Sequence, residues 1–282
     1  MGQDLHLIWL YCWVEASVRS IVDCGRLRCR GPSAALTDPE AITIELWGEM
    51  QGFSSDIAIW RYADRHLRDW FPNLPSRANF SRQCANLRLL KEEMQRLEFK
   101  PSPDWNAFDG LPVPVCKNVR AKRDRRFSLE AHWSYCASKK EWYYGFKVGA
   151  FMNSLGEIYR FCISPAHVDE RVMVEVMAVG MPSRLLADKG MISADLSKVL
   201  AADGTELVTP MRKNMRDERP SWVVEAAMRL RRRIETAFGC LVDGFDIART
   251  HGRDFWRWSA RICRKIMAYN LTLRLQRAFE FA

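Results

Sequence analysis

The chain has 282 residues, of which 48% are hydrophobic and 27% charged; this excludes wholesale disorder and leaves room for one large domain or two modest ones. Its 43 Lys and Arg against 34 Asp and Glu give a net charge of +9. That excess favours a polyanionic partner, because Lys and Arg bound to phosphates release condensed counterions. Nine Cys, odd in number and scattered, read as thiols of a reduced, cytoplasmic chain rather than a disulfide framework. Cys24 and Cys29 are close enough to open a zinc site, but no second pair follows at ligand spacing.

Residues 5–14 form an apolar run, too short for a bilayer crossing of about 20 residues and preceded by Asp4 rather than a basic flank. It is read as a core-packing helix, with no membrane partner expected. Thr37-Asp38-Pro39-Glu40 carries the signature of a capped helix start, and apolar positions recur to about residue 50. Ser54-Ser55-Asp56 opens a second helix, Pro72 and Pro75 break the chain, and a third helix is expected over 77–97. Short helices with tight turns suit a helix-turn-helix-like module over residues 1–100. Arg77 and Arg88, eleven residues apart, would share a face of the third helix with Lys91 nearby. That face reads either as a DNA contact or as an ordinary solvated surface.

Lys100-Pro101-Ser102-Pro103 is a linker, and beyond it the texture changes. Strands are expected at 107–116, 142–152 and 158–163, the last two joined as a hairpin at Gly156. A helix at 168–179, a strand at 183–187, a helix at 192–200 and a strand at 205–209 follow, then long helices at 220–241 and 255–279. This order is that of an α/β, ribonuclease-H-like domain over 101–282: a mixed five-stranded sheet with flanking helices, preceded by the all-helical module.

Three acids stand in notable slots. Asp109 lies in the first strand before Gly110, Asp188 closes the fourth, and Glu235 sits in the Arg-rich part of the long helix. Acids at strand ends and on an adjacent helix can converge despite wide spacing, and their oxygens suit Mg²⁺, with Mn²⁺ as a substitute. Each also has a local reading: a turn before Gly110, a turn with Gly190, a helical pair with Arg231 or Arg232. Asp169 and Glu170 are rival acids, read as the start of the 168–179 helix.

The ordered set Leu36-Thr37-Asp38-Pro39-Glu40, Phe71-Pro72-Asn73-Leu74, Asp109-Gly110-Leu111-Pro112-Val113-Pro114-Val115-Cys116, Tyr143-Tyr144-Gly145-Phe146-Lys147, Pro165-Ala166-His167-Val168-Asp169-Glu170-Arg171, Asp188-Lys189-Gly190 and Ile234-Glu235-Thr236 resembles the DDE transposases of bacterial insertion sequences. The likeness is greatest to the branch numbered nine-eighty-two and runs from about Leu36 to the C-terminus. It implies Asp109, Asp188 and Glu235 as catalytic acids binding two Mg²⁺ ions. The nucleophiles would be water and later a DNA 3′-hydroxyl, without a covalent protein–DNA intermediate. It also implies Arg231 as a phosphate contact near the cut, and a DNA-bound homodimer acting on terminal inverted repeats and target DNA in a bacterial, nucleoid-associated setting. The chain departs from the family's usual residues at Met191, where Tyr is expected, and at Met228 and Val242.

Basic clusters accompany these acids. Lys117, Arg120, Lys122, Arg123, Arg125 and Arg126 crowd the loop after the first strand, and Arg212, Lys213, Arg216 and Arg219 precede the long helix. With Arg231 and Arg232 they are read as phosphate contacts, which position DNA without reading its sequence. Trp133 and Trp142 are read as core, with stacking on a base near the cut as the alternative. Cys84, Cys116 and Cys162 lack a patterned His, and no phosphate-cradling Gly loop occurs. A transposase is the reading adopted. Met191 keeps open a non-cutting DNA-binding descendant, and a nuclease that cuts without joining shares the same chemistry.

Overall fold

The computed structural model describes residues 2–22, 27, 33–137, 139–181, 183–211 and 219–280. In chain order the elements are α1 (Gly2–Ile21), α2 (Asp38–Met50), α3 (Asp56–His66), α4 (Arg77–Asn86), α5 (Arg88–Glu98), β1 (Trp105–Pro114), α6 (Asn118–Ala121), β2 (His132–Cys136), β3 (Glu141–Asn153), β4 (Ile158–Pro165), α7 (Glu170–Ala178), β5 (Arg184–Leu186), α8 (Ala194–Ala202), β6 (Glu206–Val208), α9 (Ser221–Gly239) and α10 (Phe255–Glu280). They form two compact units: Met1–Glu98 with Leu241–Ala282, and Phe99–Cys240. No helix among the described residues is long and apolar enough to cross a membrane.

The first unit is all-helical. Its central helix, α2, starts with the expected capping box: the Glu40 amide donates to Thr37 Oγ1 at 3.3 Å and the Thr37 amide donates to Glu40 Oε2 at 2.7 Å. Thr37→Ala should cost about 1 kcal/mol of stability in denaturant titration; an unchanged midpoint would count against the cap's role. α1, α3, α4 and α10 pack around α2, so that Pro39 and every residue from Ala41 to Glu49 are buried, Glu45 and Glu49 included. Glu45 meets Lys91 of α5 at 2.8 Å, and Glu49 meets Arg264 and Lys265 of α10 at 2.6 and 3.0 Å. Arg264 also reaches Asp56 of α3 at 2.8 Å and Glu45 at 3.3 Å. Burial alone would raise the Asp56 carboxyl, but the Arg264 and Arg261 guanidiniums outweigh it and hold the group well below the ordinary carboxylate range.

Two expectations change here. The helix expected over 77–97 is two helices broken at the buried Leu87, whose backbone leaves helical geometry at ψ 8°. Arg88 therefore does not continue the face of Arg77. It pairs with Glu92 at 2.7 Å and lies 4.8 Å from the Trp256 ring of α10, while Lys91 is fully buried. The helical unit runs to Glu98 and takes in Leu241–Ala282, so α10 packs with the N-terminal helices rather than with the sheet. Its apolar residues Ile262, Ile266 and Leu271, with Arg264 and Lys265, complete the α2 core.

The second unit carries a mixed sheet with the ribonuclease-H-like strand order. Antiparallel pairing joins β4 to β3 and β3 to β1; parallel pairing joins β1 to β5 and β5 to β6. The β3–β4 hairpin turns at Gly156, with φ at +86°, a conformation glycine adopts without strain. A sixth strand, β2, pairs with the start of β3 and lies between the basic loop of 117–126 and the strand expected at 142–152, where the sequence pattern predicts no element. Its alternation is disguised because the face turned to solvent carries rings, whereas Cys136 and, across on β3, Tyr143 pack against Ala166. α7 packs on β4, β1 and β3, and α9 packs on β1 and β5.

Candidate active site

The register between β1 and β5 builds the site. Ala107 pairs with Leu186, and that is the last rung of the parallel ladder. Two residues beyond it lie Asp109 on one strand and Asp188 on the other. The two acids thus lie side by side, Asp109 midway along β1 and Asp188 just past the carboxyl end of β5, the end at which open α/β sheets place ligands. Because β5 stops there, β1 has no partner on that edge further along, which tolerates Pro112 and Pro114 in an otherwise central strand.

α9 supplies the third side. Ile234 is buried on the sheet, so Arg231 and Glu235 flank the same face of the helix one turn apart. Arg231 Nη1 lies 3.0 Å from Asp188 Oδ1, and Arg231 Nε lies 3.1 Å from Glu235 Oε1. The guanidinium therefore bridges the acid of β5 and the acid of α9. A shallow, open cleft lies among Ala107, Phe108, Asp109, Leu186, Ala187, Asp188, Arg231 and Ile234. Behind Asp188 a single 3-10 turn, Lys189–Met191, is closed by the Met191 amide donating to the Asp188 carbonyl at 2.9 Å. The Met191 side chain is buried, so this departure from the family's usual Tyr serves as core beneath the turn.

Asp109 is the least solvated of these acids. Burial pushes its carboxyl up to about 6; the Gly110 amide, donating at 2.8 Å, opposes this, the Glu170 and Asp188 charges add to it, and Arg231 counters them. Glu170 is the neighbour that sequence reading placed only at a helix start. Asp169 does take the N-cap, accepting from the Arg171 amide at 2.9 Å, but Glu170 pairs with Lys147 of β3 at 3.2 Å. A Cβ at Gly110 would sit 2.5 Å from Glu170 Oε1, so a larger residue there would turn this carboxylate aside from its place beside Asp109.

Among the described residues no three His, Cys, Asp or Glu stand as a ready metal cluster. The donor set nevertheless fits a hard divalent cation: carboxylate oxygens only, one of them with an ionised form that is poorly compensated by the protein. Arg231 takes the place between two of the acids that a cation would need. Cys84, Cys116 and Cys162 are poorly suited to nucleophilic work, since burial raises Cys84 and Cys116 and pushes Cys162 up to about 11.

The basic residues separate into groups. Lys117, Arg120, Lys122, Arg123 and Arg125 are exposed on and around α6. Arg126 is exposed too, but it pairs with Asp124 at 2.5 Å and lies over the Phe127 ring at 5.3 Å, which ties the loop to itself. Arg232 is exposed on α9. Arg77 and Arg88 belong to the helical unit, and Arg212, Lys213 and Arg216 lie outside the described residues. Trp133 and Trp142 are not core: they are 39% and 59% exposed. Nor do they adjoin the acids, because Trp142 lies eight residues along β3 from Ala150, the partner of Asp109, or about 27 Å at the usual strand rise.

This sheet order, with Asp109 on its central strand, Asp188 just past β5 and Glu235 on the helix across them, is that of a ribonuclease-H-like domain. The family model described as "Transposase DDE domain" matches residues 104–255, and the chain belongs to that family. Among solved structures it is similar to a piggyBac transposase synaptic complex with hairpin DNA, with a TM-score of 0.51 and 12% identity over 96% of this chain and 73% of that one. No curated protein matches it. Domains of this family generally use divalent metals.

Proposed function

We propose that the chain is the transposase of an insertion sequence, cutting DNA at element ends and joining the freed 3′ ends to a target. The reading rests above all on the Ala107–Leu186 rung, which sets Asp109 and Asp188 side by side with Arg231 and Glu235 across from them. Asp109, Asp188 and Glu235 would hold Mg²⁺, or Mn²⁺ in its place. When bound, such ions supply Lewis-acid stabilisation of the attacking and leaving oxygens of a phosphodiester.

The protein's own residues do the rest. Asp109 would serve as a ligand in its ionised form, against the burial that favours the neutral acid. Arg231 releases Asp188 and Glu235 and, still anchored on α9, meets a non-bridging phosphate oxygen beside the cut. Lys117, Arg120, Lys122, Arg123 and Arg125 hold the duplex by its phosphates. Double-stranded terminal repeats and target DNA are the partners this reading requires, with a homodimer joining two ends; the structural relative described with hairpin DNA supports a DNA partner. The helical unit would read the repeat.

Cleavage of a labelled duplex bearing the element's terminal repeat tests this directly, in Mg²⁺, in Mn²⁺ and in chelator. Cutting is expected in either metal only, and Asp188→Ala should lose at least roughly 10³-fold, as removal of a catalytic group does. Cutting that survives Asp188→Ala would place the site elsewhere. Salt-sensitive binding without cutting in either metal would identify a DNA-binding descendant instead.

A further inference from the structure

The β2–β3 hairpin has two unlike faces. One is buried, with Cys136 and Tyr143 against Ala166. The other is a ladder of four rings set by the register: Trp133 pairs with Tyr144, and Tyr135 with Trp142. Ring centroids are 5.6 Å apart within each pair. Tyr144 is buried and its hydroxyl donates to the Phe127 carbonyl at 3.2 Å, which fixes one ring of the ladder. The other three are 39%, 50% and 59% exposed for Trp133, Tyr135 and Trp142. Three large aromatics open to solvent on one strand pair form a patch that a folded chain has no internal reason to present.

The charges beside this patch select its occupant. Asn118 of α6 donates to the Trp142 carbonyl, which sets the exposed Lys117 and Arg120 along the hairpin. Lys139 and Lys140, both exposed, stand in the β2–β3 turn, against a single exposed acid there, Glu141. Rings with open faces bordered by cations suit unpaired nucleotides: bases stack on aromatic faces while ammonium and guanidinium groups follow the phosphates. A duplex, whose bases are already stacked, offers such rings little.

We propose that the outer face of the β2–β3 hairpin is a binding platform for single-stranded DNA, separate from the acids and about 27 Å from Asp109 along β3. The inference extends the DNA-processing reading by giving it a second class of ligand, unpaired strand. Trp133, Tyr135 and Trp142 stack the bases; Lys117 and Arg120 hold the backbone.

Fluorescence anisotropy of a labelled 16-nucleotide single strand and of its duplex, both in chelator, tests the platform without calling on the active site. The full chain is compared with the triple variant Trp133→Thr, Tyr135→Thr, Trp142→Thr, which keeps β-propensity on an exposed face, and with the triple Phe variant at the same positions. The expected result is a loss of single-strand affinity of roughly tenfold or more in the Thr variant, recovery in the Phe variant, and duplex binding within about twofold of the wild type. Equal single-strand binding by wild type and Thr variant would overturn the platform. So would a wild-type dimer in sedimentation that the Thr variant turns into a monomer, which would make the face a contact between copies. If the Thr variant melts early by circular dichroism, Trp142→Thr alone carries the same comparison. Duplex cutting in Mg²⁺, followed alongside, reports on the acids independently, so a failed platform and a failed catalytic reading give different patterns.

Discussion

In chelator at pH 7.5, Asp109→Asn is expected to melt several degrees above the wild type, and in Mg²⁺ it is expected to cut no DNA. Both effects come from one carboxyl. Its proton is lost at about 6 in the fold and at 3.8 in the free side chain, so the folded state binds that proton more tightly than the unfolded state does. The stabilisation linked to that proton is complete below pH 3.8 and is lost as pH rises through 6. At neutral pH the folded chain carries an ionised acid that its surroundings disfavour. With partial screening by solvent, removing this charge is worth about 1–3 kcal/mol. Asn keeps the shape, can still accept from the Gly110 amide, and has no charge to bury. The advantage should shrink as pH falls towards 4 and reverse when Mg²⁺ is added. A variant that melts below the wild type in chelator, or whose advantage persists at pH 4, would remove Asp109 from its proposed place.

Arg264→Met is expected to lower the stability of the helical unit by about 3–5 kcal/mol, the usual cost of orphaning a buried charge. Glu45, Glu49 and Asp56 are balanced in the interior by Lys91, Arg264 and Lys265, three acids against three bases. Arg264 touches all three acids, so its loss leaves Asp56 to the rim residue Arg261 and Glu49 to Lys265 alone. Urea titration followed at 222 nm would read the loss. A cost under about 1 kcal/mol would mean that apolar packing holds α10 in place unaided. Replacing Arg264 by Met without its acids is the informative change, since a fully apolar substitute for the whole network is often neutral or better.

Periodicity alone placed most elements within two or three residues, because strands of the sheet read as apolar runs and α9 as a helix with one buried stripe. The slots of Asp109 inside one strand and Asp188 just past another are legible for the same reason, since strand positions are set by local pattern. The convergence of those strands was not, since register is a pairing between residues 79 apart in the chain. Glu170 reads as part of a helix start, and nothing local announces that Gly110 leaves space for it. Lys91 reads as one of a set of helix cations because a buried ion pair looks like surface charge until the partner helix is known. β2 escaped because its outward residues are rings, the reverse of the alternation that marks a half-buried strand.

The return of α10 to the N-terminal helices also sets an order of events during synthesis. Glu49 and Asp56 emerge from the ribosome some two hundred residues before Arg264 and Lys265, the cations that neutralise them. Domains generally fold as units while the chain is being made, and the sheet unit, closed at Cys240, is whole before the helical one can be. The catalytic-type domain is thus the scaffold that waits in finished form, and a message cut short after residue 240 would release it beside a helical half with its acids uncovered.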